Sequence, residues 1–376
     1  MAKVRSLFDS GTVSGVIPDR ISVERPKNRD HGDFATSVAL QLAKSAGIPP
    51  REVAQLLATA FAQIDGVEKA EIAGPGFINL TLISGAQSAI VKIVLQQGKK
   101  YGEGNLLVGK KINLEFISAN PTGPLHLGHT RWAAVGDAMA RVLSAAGADV
   151  TREFYINDRG NQMDLFGASL AAAANGSPIP ENGYHGEYIK DLAKEVVEQN
   201  LGIKELSGDD ALIAFREAGY KLQLAQQQGV LKEFGTIFDV WYSERKLHDS
   251  GAVANVAEKL KKNGYVYEDG GATWLRTTDF GDDKDRVLVK ADGEQTYFTS
   301  DTAYYLDKRS RGFDLCIYLL GADHHGYVGR LKALVSCTGD DPAKNLQVLI
   351  GQMVKIIENG EELKLSKRAG TIITLE

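Results

Sequence analysis

One stretch limits what this chain can fold into more than any other: Asn120-Pro-Thr-Gly-Pro-Leu-His126-Leu-Gly128-His129. Before it, Ile112-Asn-Leu-Glu-Phe-Ile117 is an apolar run that reads as a short buried strand, and after it Thr130 to Ala146 carries the alanines and apolar spacing of a helix. Gly147 reads as a helix stop, Asp149-Val-Thr-Arg-Glu-Phe-Tyr-Ile156 as a second strand, and Asn157 to Gln162 as a polar loop at its carboxyl end. Strand, helix and strand at this spacing predict a βαβ unit of a parallel sheet, so the fold class expected is α/β. In open sheets of that kind a ligand lies beyond the carboxyl ends of the strands, where both polar loops fall. Pro124 is expected at an early helical position, where its missing N–H costs nothing. Two histidines three residues apart can then point the same way. A helix N-terminus with unpaired N–H groups suits phosphate, and Gly128 would leave a gap where a base or ribose lies against backbone.

The two histidines have plainer readings, as caps or as zinc ligands. His-x-x-His lacks the i, i+4 spacing of helical zinc motifs and has no Cys or Glu ligand nearby, so no metal site is expected. A length of 376 residues allows two or three domains, and 43% hydrophobic with 24% charged residues predicts a large core rather than disorder. No apolar run approaches the ~18 residues of a membrane span, and the N-terminus lacks the apolar stretch of a signal peptide. Cys316 and Cys337 form no paired motif, which fits a reducing cytoplasm. A net charge of −5 argues against indiscriminate nucleic-acid binding, although a local basic surface can still engage RNA.

Residues 1–108 read as a small α+β domain. A helix is expected from His31-Gly-Asp-Phe-Ala-Thr-Ser onward, capped by Asp33 or Thr36, and a second from Arg51 to Ile64. Val67–Ala73 and Phe77–Leu82 alternate like strands around a Gly-Pro-Gly turn, and Ser84 to Gln97 reads as a third helix. Tyr101 to Asn105 is the expected linker to residues 109–376. Within those, about 166–285 reads as an insertion that interrupts the sheet, and the aromatic cluster Phe238-Asp-Val-Trp-Tyr-Ser-Glu244 as packing. Arg286–Lys290 and Gln295–Phe298 read as strands, with Asp301 opening the helix that follows as an N-cap. Asp314 to Leu320 is a buried strand feeding a second polar corner, Gly321-Ala-Asp323-His324-His325-Gly326. Leu346 to Ile350 is the next strand, and Lys364-Leu-Ser-Lys367-Arg368 lies near the end of the chain.

His-Leu-Gly-His resembles the HIGH signature of class I aminoacyl-tRNA synthetases, and Lys364-Leu-Ser-Lys-Arg resembles their KMSKS loop. Glu115-Phe-Ile-Ser-Ala-Asn120-Pro-Thr-Gly-Pro-Leu-His is similar to the arginyl-tRNA synthetase form in particular, as are Phe238-Asp-Val-Trp and the Gly-Pro-Gly-Phe-Ile-Asn turn of the N-terminal domain. The resemblance implies a Rossmann-like catalytic core with an insertion, preceded by an N-terminal additional domain that contacts tRNA. It implies ATP-dependent activation of L-arginine and transfer to tRNA(Arg), with magnesium on the phosphates and a monomeric, cytoplasmic protein. His126, His129, Lys364 and Lys367 would be catalytic and would bind ATP. Gly128, Gly321, Asp323, Met353 and Val354 would complete the ATP site. Glu115, Asn120, Tyr297, Asp301 and His324 would bind arginine; taken singly, Glu115 and Asp301 could equally be a cap or an ion-pair partner.

Leu127, Leu365 and Arg368 depart from the two signatures; the two leucines keep an apolar filler, while Arg368 replaces a hydroxyl with a charge. Arginyl-tRNA synthetases continue past this loop into a helical anticodon-binding domain, so a fragment of that architecture is expected. Two rivals stay open: another His-x-Gly-His nucleotidyltransferase that adenylates a small metabolite, and a module that binds arginine or tRNA without chemistry.

Overall fold

The computed structural model describes residues 2–18, 20–324, 326–352, 354–358, 360–363 and 373–375. The chain forms two compact units, Met1–Gly102 and Glu103–Glu376.

In the first unit, α1 (Ala2–Asp9), β1 (Phe34–Thr36), α2 (Val38–Ala46), α3 (Pro50–Phe61), β2 (Val67–Ala73), β3 (Phe77–Leu82) and α4 (Ala86–Gln97) follow in order. The strands make an antiparallel sheet in the order β1-β3-β2. Val38, Leu42, Val53, Leu57 and Ile78 are fully buried between sheet and helices. The expected helical opening at 31–37 is a strand instead: Thr36 pairs with Ile78, and α2 begins only at Val38. The free edge of β3 takes up the backbone bonds of this segment. The Thr36 hydroxyl donates to the carbonyl of Ser22 at 2.6 Å, which anchors the segment in extended form.

The second unit is built on five parallel strands. These are β4 (Lys111–Glu115), β5 (Asp149–Ile156), β6 (Val240–Ser243), β10 (Leu315–Gly321) and β11 (Leu346–Gly351), in the spatial order β11-β10-β4-β5-β6. The order reverses between β4 and β10, and that reversal opens a crevice at the carboxyl ends of these two strands. Side chains alternate across the sheet as strand geometry requires. Ile112, Leu114, Phe154, Ile317 and Leu319 face one core, which includes Ala133 and Ala140 of α5 (Thr130–Ala145). Cys316 and Tyr318 face the other, with Tyr304 and Tyr305 of a helix at Tyr297–Ser310. Sheets buried on both faces normally carry near-continuous apolar strands. Here Asn113, Glu115 and Glu153 are buried polar exceptions on the face opposite α5.

Between β5 and β6 run three helices, α6 (Asn161–Asn175), α7 (Glu187–Gln199) and α8 (Gly208–Glu233). The strand β6 lies inside the span read as an insertion, yet pairs with β5 from Glu153↔Val240 to Ile156↔Ser243 and belongs to the central sheet. The aromatic run at 238–244 hid it, because a four-residue strand with Trp and Tyr leaves no period to read. After β6 come α9 (Glu244–Asp249), α10 (Val256–Lys261) and a small antiparallel sheet of β7 (Val266–Asp269), β8 (Ala272–Leu275) and β9 (Arg286–Val289). The strand expected at 295–298 is only an isolated bridge from Gln295 to Val289. Thr296 caps the helix α11 (Tyr297–Ser310) there through its side chain, so the cap is Thr296 and not Asp301. Beyond β10 lie α12 (Tyr327–Cys337), α13 (Pro342–Asn345), β11 and a hairpin of β12 (Ile356–Glu358) and β13 (Glu361–Leu363). Among the described residues no helix is long and apolar enough to cross a membrane.

Candidate active site

Two polar regions flank the crevice. The first is the corner between β4 and α5. A turn of 3-10 helix, Leu127–His129, leads into α5, and His126 caps it. Pro124 lies ahead of this turn, outside any helix. Gly128 N–H donates to His126 Nδ1 at 3.1 Å, and His126 N–H donates to His129 Nδ1 at 3.2 Å. A neutral imidazole that accepts at Nδ1 carries its proton at Nε2, so these bonds make both rings Nε2 donors. The rings lie 4.0 Å apart between centroids. The space that a side chain at Gly128 would need is filled by the His126 ring, at 2.7 Å from an added Cβ. The glycine therefore gives the histidine ring its room.

The corner is braced from three sides. Gln227 on α8 donates to the carbonyls of Asn120 and Gly123 at 3.1 and 2.8 Å, and the Tyr188 hydroxyl on α7 donates to the carbonyl of Thr122 at 3.1 Å. From the far end of the chain, Leu127 N–H donates to the carbonyl of Ile373 and Leu375 N–H to that of Leu125, at 3.0 and 2.9 Å. Lys364 and Lys367 lie outside the described residues, as does Met353.

The second region is a cavity of about 140 Å³ lined by Glu115, Tyr155, Asp301 and His324, with Tyr304, Tyr318 and Tyr327 among its walls. Glu115 ends β4, short of the predicted Ile117, because Ile117 and Ser118 both adopt left-handed backbone, with φ of 67° and 45°. Two such residues, one of them β-branched, cost roughly 1–3 kcal/mol each and persist only where the surroundings impose them. The turn they make brings the Ser118 hydroxyl back to donate to Glu115 Oε1 at 3.1 Å, while it accepts from Tyr155 N–H at 3.1 Å. Lys308 Nζ donates to the other oxygen of Glu115 at 2.6 Å. Asp301 accepts from the Tyr327 hydroxyl and makes no ion pair among the described residues. Burial pushes the Asp301 carboxyl up to about 6, with Glu115 reinforcing the shift and Tyr327, Arg330 and His324 opposing it.

Of the predicted arginine contacts, Glu115, Asp301 and His324 come together at this cavity. Asn120 is elsewhere: its amide donates to Gln162 at 2.7 Å and accepts from Asn157 at 3.2 Å. Tyr297 is 86% exposed and does not line the cavity, though it stands four residues before Asp301 on the same helix. Gly321 ends β10 beside the cavity and Val354 follows β11; the side chain of Asp323 lies outside the described part.

Three charged residues at this site escaped the sequence reading. Lys308 and Glu153 are both fully buried, and Glu244, at the carboxyl end of β6, is 5% exposed. Glu244 Oε2 has no hydrogen-bond partner among the described residues, and burial, with Asp158 and Asp301 adding, pushes this carboxyl up to about 7. A signal for Lys308 was present: Asp301, Tyr304, Lys308 and Arg311 recur at helical spacing and so share one face of α11.

The sequence of residues 5–82 matches the family model for the arginyl tRNA synthetase N-terminal domain, and residues 90–376 match that for the class I (R) tRNA synthetase catalytic domain. The chain belongs to the class I arginyl-tRNA synthetase family. It is 55% identical over 360 residues to an arginine–tRNA ligase of Paenarthrobacter aurescens, and 56% identical over 359 residues to one of Renibacterium salmoninarum. Each alignment covers 96% of this chain and 65% of the relative, so the chain spans just under two thirds of their length. The Thermus thermophilus arginyl-tRNA synthetase structure superposes with a TM-score of 0.64 at 20% identity, over 93% of this chain and 64% of that one, which establishes a common fold.

Proposed function

We propose that this chain carries the catalytic portion of an arginine–tRNA ligase. An oxygen of the L-arginine carboxylate attacks the α-phosphorus of ATP, the bond to the bridging oxygen breaks, and pyrophosphate leaves with its electron pair. The 2′-hydroxyl of the terminal adenosine of tRNA(Arg) then attacks the arginyl carbonyl, giving up its proton as AMP departs. The observation that carries this reading is the pair of carboxylates, Glu115 and Asp301, at one cavity on the β4/β10 crevice, with two Nε2-donor histidines on the loop that leaves β4.

A guanidinium is planar, permanently charged and forked, and two carboxylates held at fixed angles suit it. Glu115 and Asp301 take the guanidinium; Tyr297, one turn above Asp301, covers it. Asn120 and His324 hold the amino-acid end. His126 and His129 donate to the α-phosphate as charge builds on it, and Lys364 and Lys367 neutralise the leaving pyrophosphate. Little covalent help is needed where two anions must be aligned and a growing charge stabilised. Gly128, Gly321, Asp323, Met353 and Val354 hold adenosine. Among the described residues no three His, Cys, Asp or Glu side chains assemble as metal ligands, so magnesium is placed on the oxygens of ATP itself. Two buried free thiols support a cytoplasmic setting, and the N-terminal unit would contact the tRNA.

Pyrophosphate exchange into ATP, with and without tRNA(Arg), tests the reading. Exchange that requires L-arginine supports it. Exchange driven by another small carboxylate, or none in the presence of arginine and tRNA together, contradicts it.

A further inference from the structure

Beneath the cavity lies a group of four charges, of which Glu115, Glu153 and Lys308 are buried and Arg311 is partly exposed. Glu115 and Glu153 are register partners on β4 and β5 and point to the same face of the sheet. Lys308 and Arg311 descend on them from α11. Lys308 Nζ is 2.6 Å from Glu115 and 3.9 Å from Glu153, while Arg311 reaches both oxygens of Glu153 at 2.5 and 3.0 Å. The Lys308 ammonium also sits over two rings, 4.3 Å from the centroid of Tyr304 and 3.9 Å from that of Tyr318. A lysine with no exposed surface is costly to bury, and such pairs are poor sources of stability. Its retention calls for another explanation.

The ion pairs supply one. Lys308 is the partner of Glu115, while Arg311 is shared between Glu153 and Asp307, at 2.5 and 2.9 Å; Asp301 makes no ion pair among the described residues. We infer that Lys308 is the positioning and specificity-determining residue of the pocket: it fixes Glu115 and compensates its charge, so that Glu115 and Asp301 can share one guanidinium. The inference rests on the arginine reading above. Lys308 touches no substrate in this account; it acts through Glu115.

Without Lys308, Glu115 would face Asp301 across a small cavity with no cation of its own, and one of the two carboxyls would take up a proton. Arginine would then have to displace that proton. The other groups do not supply it. Tyr155, Tyr304, Tyr318 and Tyr327 are all held neutral, their hydroxyls raised by burial. Glu153 is committed to Arg311, and its carboxyl stays below the usual range because Arg311, Lys308 and Tyr304 outweigh its burial. On the remaining sides Asp301 is faced by Arg330, His324 and Glu244.

The test is calorimetric titration of L-arginine into the whole chain from about pH 5.5 to pH 9, comparing wild type with Lys308→Met, Lys308→Arg and the double variant Lys308→Met, Glu115→Gln. Lys308→Met should bind arginine at least about tenfold more weakly at pH 7, and the pH at which affinity is half lost should rise by about one unit or more. Lys308→Arg should keep the wild-type midpoint. The double variant should return to it, because removing Glu115's charge removes the coupling; a merely structural lysine would show no such rescue. If Lys308→Met does not fold, Glu115→Gln with and without Lys308→Met decides the matter. The second substitution should then regain about tenfold in affinity, by removing an unpaired cation from the pocket floor. An unmoved midpoint in Lys308→Met, a shift that persists in the double variant, or no regain overturns the inference. A wild-type chain that binds no arginine at any pH overturns the arginine reading itself, and this inference with it.

Discussion

The two sides of the β4/β10 crevice are built in opposite ways. On the α11 face, two of the carboxylates are fixed in advance. Glu115 is held at both oxygens, Glu153 is clamped by Arg311 and Tyr304, and two left-handed residues are spent to bring Ser118 into place. On the α5 face, the histidine corner is ordered through backbone: its rings accept main-chain N–H groups, and Gln227, Tyr188, Ile373 and Leu375 hold its main chain. A pocket that must recognise one side chain gains from rigid, compensated charge. A corner proposed to follow a phosphate through bond-making gains from rings whose orientation is set by the main chain. The difference predicts that substitutions on the α11 face alter arginine affinity and those on the α5 face alter turnover.

The largest effect is expected at the histidines. His126→Ala or His129→Ala should lower the rate of arginine-dependent pyrophosphate exchange by about 100-fold, as loss of a donor to developing charge does elsewhere. Arginine affinity by calorimetry should stay within about threefold, since neither ring lines the cavity. A matching loss of affinity would erase the distinction between the two faces. Asp301→Asn should come next, weakening arginine by about 30-fold or more while leaving ATP binding unchanged, because it removes a charge that the guanidinium alone would pair. Equal losses for both ligands would contradict that role.

A smaller, graded effect should follow pH. On the proposed reading arginine would bind the ionised form of Asp301, whose carboxyl burial raises to about 6. Affinity should therefore be full well above pH 6 and decline by about tenfold per unit below it, as the neutral acid takes over. Affinity that holds level down to pH 5 would mean that the ionised Asp301 is not what receives arginine. The least effect is expected at Tyr297. Its ring lies outside the cavity, so Tyr297→Ala should weaken arginine by only about three- to tenfold, the range of one cation–π contact. No change would remove Tyr297 from the site; a loss as large as that of Asp301→Asn would show that the ring does more than cover it.

Much of this organisation was legible in the residues. The β4–α5–β5 unit could be read because apolar runs, alanine spacing and a terminating glycine all agree, and β5 runs over Asp149–Ile156, the span predicted. Glu115 and Asp301 could be paired from the resemblance alone, although they lie far apart in sequence. What could not be read had specific causes. Lys308 sits in Asp307-Lys-Arg-Ser-Arg311, a charged run that looks like the solvated end of a helix; only its spacing from Asp301 and Tyr304 betrays an inward face. The turn at Ile117 and Ser118 was invisible because neither residue favours left-handed backbone. The strand β6 was too short to show a period, and Tyr297 was placed by helix capping at Thr296, which a strand-like Gln-Thr-Tyr-Phe sequence concealed.

Glu115 and Asp301 together would form one guanidinium site, its charge set from beneath by Lys308. A crystal structure of the chain soaked with L-arginine tests it most directly. A planar group should bridge Asp301 and the cavity side of Glu115, with Lys308 still bonded to that carboxylate from the other side. Arginine bound away from either carboxylate, or bound only after Lys308 has swung off Glu115, would contradict it.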